Sequence, residues 1–194
     1  MSDPGMRKLT DPREIRALAH PVRIALLEAL TREGPLTATE AAELVGESPA
    51  NCSFHFRTLA KYGYVEEAPG AGGRSRPWRR VSVGQTFEST SESPEANIAA
   101  QALLQLAQDR ALERMRTYIG AWSSYPEEWQ KASSFTDSLL YLTPEELTEL
   151  SNALLEQVDR YRGRASDKSL RPAGSRAVQL AMYAFPLPPT PSGN

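Results

Sequence analysis

A single residue, Glu47, separates a helix stop at Gly46 from a helix start at Ser48-Pro49, and this spacing constrains the fold more than any other feature of the chain. Glycine just past a helix accepts the left-handed turn that ends it, while serine caps the next helix and proline suits its first position. Two helices joined so tightly form a helix-turn-helix. The upstream helix is brief: Thr37-Ala38-Thr39-Glu40 is a capping box, and Ala41, Leu44 and Val45 give the helix its apolar side. The downstream helix runs from Pro49 to about Tyr62, closed by Gly63. Earlier, Asp11-Pro12-Arg13-Glu14 opens a helix with Ile15, Leu18 and Ala19 on its apolar face. His20-Pro21 restarts it, Ile24, Leu27 and Leu30 supply the next stripe, and Gly34-Pro35 ends it.

Tyr64 to Ala68 and Arg74 to Val83 read as strands around the flexible loop Pro69-Gly70-Ala71-Gly72-Gly73, a hairpin that forms a wing. Gly84 to Pro94 is rich in Ser, Thr and Glu and reads as a linker. A long helix follows from Glu95 to about Ile119, with Ile98, Ala102, Leu106, Leu112, Met115 and Ile119 as its apolar face. Trp129 lies on a short helix. Phe135 to Leu142 has strand character, Thr143-Pro144-Glu145-Glu146 caps a helix through Tyr161, and Ala177 to Phe185 reads as a second strand. The expected fold is mainly α with small β elements: a winged helix-turn-helix, a long dimerisation helix and a small strand-helix-strand unit. The expected division is residues 1–87 for DNA binding, 88–185 for dimerisation and a possible effector, and a disordered tail over 186–194.

On a 3.6-residue period, Cys52, Phe56 and Leu59 share the inner side of the helix beginning at Pro49. Ala50, Phe54, Arg57 and Lys61 lie opposite, flanked by Asn51 and Thr58, and Ser48 sits at the tip. Short residues at the start and cations further along suit entry into a major groove, with Phe54 placed to meet a thymine methyl. From Ser48 to Phe87 six basic residues face two acidic ones, a balance of +4 in a chain of net charge -2, which leaves -6 for the rest. Arg74, Arg76, Arg79 and Arg80 cluster around the glycine-rich tip, where they could enter a minor groove or straddle phosphates, and Trp78 anchors the hairpin base.

The stretches LAHPVRIALLEAL, TATEAAELVG, ANCSFHFRTLAKYGYVEE and GGRSRPWRR resemble ArsR-type winged-helix regulators, above all the ArsR-like helix-turn-helix proteins common in actinobacteria. Ser53, His55, Phe56 and Leu59 stand at the family's Ser-x-His-Leu-x-x-Leu signature, and Gly63, Tyr64 and Val65 at its turn into the wing. The likeness covers roughly residues 10 to 83. It implies a homodimer on a near-palindromic double-stranded site, repression rather than activation, and Ser53 and His55 touching phosphate or orienting the helix. Phe54 replaces a residue that is often polar in that family. The carboxy-terminal part also looks like the tail of such regulators. Metal-sensing members place paired cysteines where this chain has Thr37 and Thr39, and the long helix holds no His or Cys.

Cys52 and His55 alone make a poor metal site, since structural zinc takes four ligands, so neither metal nor cofactor is expected. No glycine-rich phosphate loop or nucleophile elbow points to an enzyme. One cysteine, a polar amino terminus and no long apolar run fit a cytoplasmic protein without a membrane span. Tyr118, Trp122, Tyr125, Trp129, Phe135 and Tyr141 are dense enough to line an apolar pocket, and the last five are the candidate residues for a small apolar effector. The rival reading is a winged-helix protein-interaction module without specific DNA binding.

Overall fold

The computed structural model describes residues 6–9, 11–69, 76–81, 84–87 and 93–188, and in it the cap signals fall where helices begin and end. Helix α1 spans Pro12–Leu18, its first free amide, that of Arg13, donating to Asp11. α2 spans Pro21–Glu33, with the His20 ring nitrogen Nδ1 accepting from the Val22 amide. α3, Ala38–Val45, carries the full capping box: the Glu40 amide donates to Thr37 Oγ1 at 3.3 Å and the Thr37 amide to Glu40 Oε2 at 2.8 Å. Gly46 then turns left-handed at φ 72°, which a side chain would resist, and α4, Pro49–Lys61, follows. Leu26, Ala41, Cys52, Phe56 and Leu59 are wholly buried where these helices meet.

Strand β2, Val65–Glu67, pairs antiparallel with β3, Trp78–Arg80, so the wing forms as expected at its base. Leu36 and Trp78 exchange two backbone hydrogen bonds, at 3.0 and 2.7 Å, which fastens the wing to the chain ahead of α3. The expected linker is corrected in its first four residues. Gly84–Phe87 is a strand, and it pairs parallel with Met6–Leu9; in chain order these are β4 and β1. A ladder between the two ends of a domain is set by tertiary approach, which local composition does not report.

Helix α5 spans Pro94–Gly120, capped by Ser93. Its buried side is Ala96, Ala99, Ala100, Leu103 and Ala111, and its first turns pack on α1. The expected stripe is therefore corrected: Ile98 is 68% exposed, Leu112, Met115 and Ile119 are also exposed, and Leu106 is half-buried. Close helix approach selects alanine, and a search for large apolar residues selects the opposite side. One carboxylate ties the later turns back to α2: Glu28 accepts from Arg110 Nη2 and from Arg114 Nη1, each at 2.7 Å. Burial pushes the Glu28 carboxyl up, but the two guanidiniums outweigh it and hold the group below the ordinary carboxylate range.

Beyond α5 come a 3-10 turn at Trp122–Ser124, α6 at Glu127–Ala132, α7 at Pro144–Ser166 and a second 3-10 turn at Lys168–Leu170. α7 carries the expected capping box at Thr143 and Glu146. The strands expected on either side of it are corrected. Residues 135–142 and 177–185 hold neither strand nor helix, and among the described residues neither segment pairs with another strand. Lys168 Nζ and the Arg171 guanidinium donate to the Glu33, Arg32 and Thr31 carbonyls, anchoring the end of α7 at the end of α2. No described residue after Ala111 is buried. No described helix is long and apolar enough to cross a membrane. Of the expected disordered tail, residues 189–194 lie outside the described residues.

Candidate nucleic-acid interface

α4 has two distinct sides. Cys52, Phe56 and Leu59 fix the inner one, and Phe56 stacks on Trp78 with ring centroids 5.6 Å apart, so the helix and the wing base share a joint. Ser48, Ala50, Phe54, Arg57 and Lys61 are exposed on the outer side, with Phe54 at 59%. Asn51, Ser53 and Thr58 are half-buried. Several of these polar groups already have work within the helix. Ser48 Oγ accepts from the Asn51 amide, Asn51 Nδ2 donates to Glu47 Oε2 at 2.8 Å, Thr58 Oγ1 donates to the Phe54 carbonyl, and Arg57 Nε donates to the Ser53 carbonyl at 3.3 Å. Arg57 and Lys61 nevertheless carry their charge at the surface.

His55 lies on the buried side of α4. It is 5% exposed, and its ring lies 4.5 Å from that of His20, where α2 begins. Of the two roles expected for His55, phosphate contact or orientation of the helix, its burial against His20 favours the second, an imidazole pair between α4 and the start of α2. Desolvation pulls both imidazoles below the ordinary 6.5, helped by the nearby Arg23 charge, while Glu47 opposes the shift. Arg23 itself was not legible as a site residue: it donates to the Ala17 carbonyl at 2.6 Å, and burial lowers its basicity.

The wing is less positive than its composition implies. Arg79 pairs with Glu66 directly across the β2–β3 ladder at 2.5 Å, and Arg76 pairs with Glu67 at 2.8 Å. Arg80 is a correction: it turns inward and donates to Thr31 Oγ1 at 2.7 Å. Desolvation drops its pKa to about 10, so it stays charged at neutral pH while facing α2. Inward-pointing Arg80 follows from strand alternation, which puts neighbours on opposite sides. Arg74 lies outside the described residues.

Of the expected effector residues, Trp122, Tyr125 and Phe135 gather around Tyr118, with centroids 5.3, 4.7 and 6.2 Å from its ring. Trp129 stands apart beneath the Arg176 guanidinium at 5.6 Å, and Tyr141 is 95% exposed, so neither lines a pocket with the rest. No group of three or more His, Cys, Asp or Glu among the described residues has the arrangement of a metal site.

Residues 18–67, from the end of α1 through β2, match the family model of a helix-turn-helix domain. The comparison with curated proteins finds no match. The class that fold and match define is a helix-turn-helix protein, the architecture of DNA-binding regulators.

Proposed function

We propose that this chain is a sequence-specific regulator of transcription that binds double-stranded DNA as a homodimer at a near-palindromic site, in the manner of the ArsR-like proteins it resembles, and represses there. The observation that carries the reading is the outer side of α4, where Ala50, Phe54, Arg57 and Lys61 stand exposed on a helix whose other side is locked into the core. It acts by binding rather than catalysis, in the cytoplasm. Selection of bound duplex from a random pool tests it: an inverted repeat supports the reading, and no enrichment refutes it.

A second reading is favoured by one specific pair of observations. Exposed Phe54 and the neutralised Arg76 and Arg79 suit a protein-facing winged helix. Salt separates the two. Each phosphate contact releases counterions and lowers the logarithm of affinity by about 0.9 per tenfold rise in salt, whereas a protein-interaction module shows no comparable slope on DNA.

A further inference from the structure

Guanidiniums from three directions converge on the second half of α2, and one carboxylate meets them. Glu28 and Thr31, three residues apart, share a face of that helix. Arg110 Nη2 and Arg114 Nη1, from α5, take the two oxygens of Glu28. Arg80 reaches in from β3 to Thr31 Oγ1, and Arg171 donates to the Thr31 carbonyl. Among the described residues neither Arg80 nor Arg171 has a carboxylate partner; those of Arg171 are the carbonyls of Thr31, Arg32, Arg164 and Ala165. Arg80, Arg110 and Arg114 against Glu28 alone leave an excess of two positive charges. The Nε atoms of Arg80 and Arg114 are buried and have no hydrogen-bond partner among the described residues. A buried cation without a counter-charge is strongly unfavourable, and Glu28, already shared by two guanidiniums, offsets less of Arg80's basicity than burial removes.

We propose that Arg80, Arg110 and Arg114 bind a small dianionic oxyanion, a phosphate monoester or a dicarboxylate, between the base of the wing and α5. The planar guanidinium fork matches paired carboxylate or phosphate oxygens, so the residue type selects the ligand's chemistry. The excess of two charges sets the ligand's charge, and the two unpartnered Nε–H groups are donors ready for it. An apolar guest would leave both donors buried and unpaired, which disfavours it. The three arginines stand on two elements that share α2 as a floor, so a ligand held by all of them ties the wing base to the long helix. This site does not depend on the reading of α4 as a DNA contact, because Arg80 faces α2 and none of the three lies on α4.

The test is isothermal titration of the full-length protein with inorganic phosphate and, separately, with succinate, the ionic strength held constant with chloride. Saturable binding of either probe is expected, and the tighter of the two names the ligand class. Arg80→Gln and Arg114→Gln, with folding checked by urea titration, are expected to weaken it about tenfold or more. Arg57→Ala combined with Lys61→Ala is expected to leave it unchanged. Glu28→Gln removes the competing carboxylate and frees two guanidiniums, so it is expected to tighten binding about tenfold even as it loosens α5 from α2. That gain keeps the test decisive if an arginine variant fails to fold. No saturable binding by wild type or Glu28→Gln overturns the proposal. Binding that survives in Arg80→Gln and Arg114→Gln but is lost with Arg57 and Lys61 overturns it as well, in favour of a phosphate contact on α4.

Discussion

Arg57 and Phe56 are adjacent in sequence and point opposite ways from α4, one into solvent and one into the core. Their truncation therefore separates contact from folding. Arg57→Ala is expected to weaken binding to a selected duplex and to relax discrimination at one base pair by about 1–3 kcal/mol, with the thermal midpoint unmoved. Phe56→Ala removes the ring that stacks on Trp78, and denaturant titration is expected to register a loss of about 3–5 kcal/mol. The imidazole pair gives a pH signature. His20 and His55 both have folded-state values below 6.5, so the unfolded chain takes up protons first as pH falls. Their contribution is thus complete above about pH 6.5 and is lost below it, down through the depressed folded values. Unfolding midpoints measured between pH 8 and 5 should fall across that window, and His55→Gln should flatten the fall. A profile of the same steepness in the variant would remove the pair from the explanation.

Elements whose ends are written in short-range chemistry were legible, and elements defined by distant partners were not. Asp11, Thr37, Ser48 and Thr143 each cap the helix expected of them, because a cap bonds within three residues. The β1–β4 ladder and the alanine side of α5 each depend on something far along the chain, so neither periodicity nor composition exposed them. The Arg110 and Arg114 spacing, one helical turn apart, was the available hint of the Glu28 cluster. The wing makes its own prediction. Converting Glu66 and Glu67 together to Gln frees Arg79 and Arg76 from their partners. Affinity for any duplex should rise and its salt dependence steepen, as measured by binding titrations at several salt concentrations. Unchanged slopes would mean the wing does not approach phosphate.

At the scale of the whole molecule, packing divides the chain differently from the boundary expected at residue 87. Ala99, Ala100 and Leu103 of α5 belong to the same core as α1 to α4. A chain cut after Phe87 should therefore lose stability, whereas one cut after Gly120 keeps every buried residue described. Denaturation should find the second nearly as stable as full length, and sedimentation should find its self-association weakened. The parallel ladder has a further consequence, for the order in which the domain assembles. Met6 pairs with Gly84, so that contact closes nearly the whole winged domain as one loop, while the helices between are joined by near neighbours. Contacts between distant residues form slowly, because loop closure must come before they yield anything. On a ribosome, α4 and the wing would be built and seated while the first strand still waited for the last to emerge, and only then would the domain latch.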